Sequence, residues 1–330
     1  MFYALLKMIL PSPGLVMDDT LGYGVLIERL QNFLARGRWD IVESELAKRS
    51  RAELSLLVLH MGTTKQENGS ILQSWYQACP HSFYATLIYA HYFIEYAWDA
   101  RGSGLGSSVT EEMGMLFFQR LEEANALLEE AKHINPNHPE PYALSIVIEK
   151  ARAFHGSRLI EDLNRTDKLH IVGQRAIING LSQRWGGAKG EGLAYAKSLS
   201  KGAPKGSLLH GLIADAHIEI WMDFMEDLLG AKNYFTHKNV KHELLMAYEK
   251  AFPQKKFTKD IDTILVLNAF AFCFYLAKLE PQAREILTFL KGKSELYPWE
   301  YADSSVLAFL DVNYAYTAIH KELKVDFKGF

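Results

Sequence analysis

Residues 121–142 read LEEANALLEEAKHINPNHPEPY, and their spacing decides the fold. Ala124, Leu128 and Ala131 recur at steps of four and three, so they share one face of a helix. Pro136 ends that helix, because proline has no amide hydrogen and its ring blocks the preceding turn. Tyr142 falls where a second helix begins. Small alanines let two helices approach closely, and large apolar residues one turn away fill the space beside them. The stretch therefore reads as helix, stop, helix.

The same spacing returns elsewhere. Ala271, Phe274, Ala283, Leu287 and Leu290 reproduce both helices of such a hairpin, and Gly37, Trp39 and Val42 match its turn and entry. This is the packing pattern of tetratricopeptide repeats. Glu112 stands where the middle copy should carry glycine or alanine, and the copies are irregularly spaced. The expected fold is all-α: a degenerate tetratricopeptide-like, α-α superhelical array of helical hairpins. Helix starts are expected at Ser50-x-x-Glu53, Ser108-x-x-Glu111 and Asn137-x-x-Glu140, and stops at Gly102, Gly180, Gly202 and Gly292. About fourteen helices follow. Their expected spans are 20–36, 39–49, 51–61, 70–78, 82–100, 109–133, 139–155, 162–179, 188–200, 206–229, 238–252, 260–278, 280–291 and 300–320. No sustained period-two alternation is present, and neither Asn68-Gly69 nor Asn179-Gly180 joins two β-branched runs.

Composition narrows the function classes. The chain has 330 residues, 48% hydrophobic and 23% charged, enough for a sizeable core. Its formal net charge is −3, so it lacks the basic excess that a nucleic-acid binder needs. Cys79 and Cys273 form no disulfide framework, which fits a cytoplasmic protein. Met1–Leu10 is apolar but carries Lys7 in its middle and runs into Pro11-Ser12-Pro13-Gly14, unlike a secretory signal. Ile264–Ala277 is too short to cross a bilayer and is interrupted by Asn268, so a buried helix is expected and no membrane contact. A glycine-rich composition at 180–206 marks either tight turns inside a single array, 1–330, or a joint dividing it into 1–185 and 186–330.

Ala97-Trp98-Asp99-Ala100-Arg101-Gly102-Ser103-Gly104, the helix tail at Pro136 and Arg184-Trp185-Gly186-Gly187 resemble the signatures of a bacterial family filed as a domain of unknown function. The resemblance covers roughly 30–210. It implies a tetratricopeptide-like fold and a bacterial origin, and it brings no assigned activity.

Motifs for chemistry are scarce. The glycine-rich run 101–108 follows a helix and contains no lysine, so it is no phosphate loop. Twelve histidines include His133 and His138, His237 and His242, and His210 and His217, with no His-Glu-x-x-His; no metal site and no cofactor are expected. There is no Gly-x-Ser-x-Gly elbow, and no catalytic residue is assigned.

Two features point to a protein partner. Asp215, Glu219, Asp223 and Glu226 share one face of a helix, and Leu209, Leu212, Ala216, Ile220 and Phe224 occupy another. They form a solvated face, an internal ladder against the seven lysines of 232–259, or a docking stripe for a basic partner. The aromatic helix 82–100 carries Tyr89, Tyr92 and Tyr96 and ends at Arg101; its rings line either core or a binding groove. The expected function is a protein-binding scaffold, in one specific form an immunity protein that neutralises a bacterial toxin. The alternative is an enzyme with its site in an inter-helix cleft. Oligomeric state is not read from the sequence.

Overall fold

Ser50 opens a helix by a reciprocal cap. Its hydroxyl accepts the Glu53 amide at 3.3 Å, and the Glu53 carboxylate accepts the Ser50 amide at 2.8 Å, so two otherwise orphaned amides are satisfied. In the computed structural model, which describes residues 15–64, 68–102, 109–152, 154, 156–224, 233–301 and 311–325, this helix is the third of fifteen α-helices among the described residues. They are α1 Gly24–Ala35, α2 Trp39–Leu46, α3 Arg51–Met61, α4 Asn68–Ala78, α5 Phe83–Arg101, α6 Glu111–Ile134, α7 Glu140–Lys150, α8 Ser157–Asp167 and α9 Ile171–Gly180. Then follow α10 Glu191–Gly202, α11 Leu212–Asp223, α12 Lys238–Ala251, α13 Ile261–Leu276, α14 Glu280–Leu290 and α15 Val312–Glu322. No strand occurs among the described residues; a single isolated parallel bridge joins Asp18 and Lys293. The protein is all-α.

The chain divides into two compact units, Tyr23–Ala188 and Met1–Gly22 together with Lys189–Phe330. In the first, α4, α5, α6 and α7 pack in succession, and α7 also packs on α9. Leu30, Val42, Leu57, Trp75, Ile88 and Leu121 are fully enclosed in its core. Ala124, Leu128 and Ala131 are buried, and the Tyr142 hydroxyl donates to the Pro136 carbonyl at 3.1 Å, tying the stop to the following helix. Glu112 is exposed.

In the second unit α10 packs on α11, and α13 on α11 and α14. Ala271, Phe274, Ala283, Leu287 and Leu290 are all buried. α13 is enclosed along nearly its whole length. Asn268 inside this apolar run is satisfied internally: its amide donates to Ile264 O at 2.9 Å, and its oxygen accepts from Ser294 Oγ and Trp299 Nε1. Among the described residues, no helix is long and apolar enough to cross a membrane. The segment before Tyr23 belongs to this unit. Leu15 exchanges two hydrogen bonds with the Thr317 hydroxyl, and Met17 N donates to Asn313 Oδ1 at 2.7 Å.

Several expected boundaries shift for local reasons. The span 162–179 is two helices, because His170 caps a new one: its Nδ1 accepts the Gly173 amide at 3.1 Å. The cap of α6 is Thr110, not Ser108, which lies outside the described residues. Glu140 does not reach back to Asn137, because its carboxylate is engaged elsewhere. The span 206–229 resolves into a 3-10 turn, Leu208–His210, and α11, with 225–229 outside the described residues. Met1–Leu10, Ser103 to Ser108 and most of 300–311 also lie outside them.

Candidate functional site

Ser82 starts α5 by accepting the Ala85 amide at 3.0 Å. Along this helix Tyr89 and Tyr92 stack at 6.1 Å, and Tyr92 and Tyr96 at 5.7 Å. Tyr76 of α4 extends the row, its ring 5.6 Å from Tyr89. The rings are half-buried, and Tyr96 is 37% exposed. α6 runs alongside. Arg120 lies over the Tyr96 ring at 3.2 Å from its centroid and donates to the Tyr96 carbonyl; Glu130 accepts the Tyr76 hydroxyl at 2.7 Å. That hydrogen bond, with burial, pushes the Tyr76 phenol up to about 12. Burial raises Tyr89 and Tyr92 as well. α6 exposes Met115, Leu116 and Phe118 to 62%, 38% and 43%; Leu116, one turn before Arg120, shares its face, and Met115 and Phe118 lie on another. The rim is acidic, since Glu123 and Glu130 of α6 face the row, with Glu112 on the same side of the helix. Arg101 stands apart from this row: its guanidinium lies 5.5 Å from the Trp98 ring and Nη1 donates to Gly102 O at 3.2 Å, holding the helix end.

The acidic stripe is differently placed from a solvent-facing patch. Asp215 and Glu219 are buried, at 3% and 6% exposure; Asp223 is half-buried and Glu226 lies outside the described residues. α11 also buries Leu212, Ala214, Ala216, Ile218 and Trp221, so almost every side of it faces protein and two carboxylates are carried inside. Glu219 is satisfied there by the Tyr297 hydroxyl at 2.6 Å. Neither of these two groups is available to a docking partner.

Three polar groupings arise only in the fold. On α11, His217 Nδ1 lies 2.7 Å from the Tyr234 hydroxyl, while Nε2 lies 3.2 Å from Glu243 Oε2 without hydrogen-bond geometry. Lys197 reaches Glu243 at 2.8 Å. His217, opposed by burial and aided by Lys197, holds the Glu243 carboxyl down to about 2. Elsewhere Glu140 of α7, 2% exposed, accepts from Ser55 of α3 and from His170 Nε2 at 3.0 Å. Because Nδ1 of His170 already accepts from Gly173, Nε2 carries the proton and points at the carboxylate. The imidazole has no free nitrogen to take the Ser55 proton, so this trio ties helices and is no nucleophile. Burial opposes ionisation of Glu140, but the His170 and Ser55 hydrogen bonds outweigh it and keep its pKa below the ordinary value.

The third grouping joins α10 to the 3-10 turn. Ser200 Oγ lies 2.7 Å from His210 Nδ1, and His210 Nε2 lies 3.0 Å from the Pro204 carbonyl. A carbonyl only accepts, so Nε2 carries the proton and Nδ1 accepts the Ser200 hydroxyl. Among the described residues, no group of three or more His, Cys, Asp or Glu is placed to hold a metal ion.

Comparison with curated proteins and with solved structures gives no match. Residues 38–163, which lie within the Tyr23–Ala188 unit that carries the tyrosine row, are similar to the family described as Domain of unknown function (DUF4034).

Proposed function

We propose that the chain is a protein-binding array of helical hairpins of the tetratricopeptide kind, working in the bacterial cytoplasm. It captures a segment of another protein on the α5–α6 face. The observation that carries this reading is the row Tyr76, Tyr89, Tyr92 and Tyr96, left half-exposed, with exposed Leu116 on the same face of α6 as Arg120. Rings with apolar bodies and polar tips are the side chains that interfaces favour. The glutamate rim selects the partner's chemistry: an apolar segment bearing lysine or arginine. Neutralising a toxin by covering such a segment is one form of this binding. The row replaces the acidic stripe as the docking surface.

The test is peptide selection on the purified full chain. Enriched peptides should combine basic with aromatic or aliphatic residues, and their binding should fall at least about tenfold in Tyr96→Glu and Leu116→Glu variants. Peptides that bind both variants as tightly as the parent would rule the face out.

A further inference from the structure

α10, α11 and α12 border a cleft of about 600 Å³ that the tyrosine face does not involve. Its wall carries Lys197, Lys201, Lys205 and Lys250, with Ser200 and His210 at the base. The volume is that of a small-molecule site. We propose that this cleft binds a compact, hydroxyl-bearing phosphate ester.

The charge comes first. No carboxylate lines the cleft. Lys197 shares Glu243 with His217, but Lys201, Lys205 and Lys250 form no ion pair among the described residues. Three unpaired ammonium groups around one hollow, beside the paired Lys197, repel one another unless an anion sits between them. Lysine is a point charge that suits phosphate.

The hydroxyl follows from the base of the cleft. Ser200 and His210 are 6% and 2% exposed and still line it. The Ser200 proton is committed to His210 Nδ1, and His210 is locked in that tautomer by Pro204. Ser200 Oγ therefore meets a ligand only as an acceptor, and the unprotonated oxygens of a phosphate monoester dianion offer it nothing. A ligand hydroxyl beside the phosphate does. The remaining wall residues are Ala203 and Ile213; with no aromatic ring among them, the cleft has no platform for a nucleobase.

The probes are glycerol 3-phosphate and methyl phosphate, titrated calorimetrically into the full chain at about pH 8, where each ester is a dianion without a P–OH. Glycerol 3-phosphate should bind several-fold more tightly. Lys201→Glu/Lys250→Glu should weaken both probes at least tenfold, with circular dichroism unchanged because both side chains are exposed. Lys256→Glu/Lys259→Glu makes the same charge change away from the cleft and should leave both affinities alone. Ser200→Ala should erase the preference for glycerol 3-phosphate and keep methyl phosphate binding. Equal losses in the two charge-reversal variants, no saturable binding of either probe up to about 10 mM, or a preference that survives Ser200→Ala overturns the proposal. Cosedimentation with vesicles containing phosphatidic acid then separates the sources. Pelleting that glycerol 3-phosphate competes assigns a lipid headgroup, and its absence assigns a soluble ester.

Discussion

Replacing Glu140 by Leu removes the acceptor shared by Ser55 and His170 at the junction of α3, α7 and α9. Each buried donor left unmade costs about 1–3 kcal/mol. Both donors have a partial fallback. Ser55 Oγ also lies 3.2 Å from Arg51 O, and His170 Nε2 lies 3.2 Å from Ser55 Oγ, so a chain from imidazole to hydroxyl to carbonyl can form. The net loss is then about 2–3 kcal/mol, near the lower end expected when a buried pair is broken. Glu140→Gln keeps a carbonyl acceptor and should cost about 1 kcal/mol. Hydrogen exchange read by mass spectrometry localises the effect. Peptides covering 171–180 should exchange about 30–150 times faster in Glu140→Leu, while those covering 261–276, in the other unit, act as an internal standard. Unchanged exchange at 171–180, or a Gln variant as damaged as the Leu variant, would refute the staple.

Acid should weaken the protein in two stages. Burial pushes His138 and His320 from 6.5 down to about 4, so both stay neutral in the fold and take up protons on unfolding. Their stabilisation is complete above 6.5 and is lost as pH falls toward 4, about 2–3 kcal/mol from fully enclosed His320 and less from half-exposed His138. Glu243 contributes above 4.5 and is lost toward 2; a melting temperature flat from pH 7 to about 4 contradicts the first stage, and one that falls no further between about 4 and 2 contradicts the second. Glu219→Lys should lower stability by roughly 3–5 kcal/mol, since the new ammonium sits in a 6% exposed position against Tyr297; an unchanged urea midpoint would show that the site opens to water. Gly187→Ala should cost at least about 2 kcal/mol, because an added Cβ overlaps the Leu181 carbonyl, while Gly190→Ala meets no neighbouring atom and only the left-handed backbone opposes it. Comparing their thermal melts checks the ranking.

Helices were legible where a local signal decides them. The Ser50–Glu53 box starts α3 where expected, and the Ala124–Leu128–Ala131 face is buried as its spacing requires. The break before α9 was not legible, because histidine is an uncommon cap and its ring nitrogen acts only through the geometry at Gly173. The acidic stripe illustrates a deeper limit. Spacing places Asp215 and Glu219 on one face but says nothing about whether that face meets water, and α11 has no polar face to set against a buried one. The tyrosines were legible as rings on several faces, whereas their stacking partners Tyr76 and Arg120 come from α4 and α6. Ser55, Glu140 and His170 meet across separations of 85 and 115 residues, which no motif spans.

Leu15 and Thr317, which exchange two hydrogen bonds, stand 302 residues apart, and the whole Tyr23–Ala188 unit is threaded between them. On a ribosome adding about 5–20 residues per second, that separation is roughly 15–60 s. For that interval the early segment has emerged but its dock has not been made. The unit with the tyrosine row is complete in the nascent chain long before the unit with the lysine cleft can close around its own beginning. Synthesis thus imposes an order of maturation, inner unit first, and chaperone dependence should concentrate on the outer one.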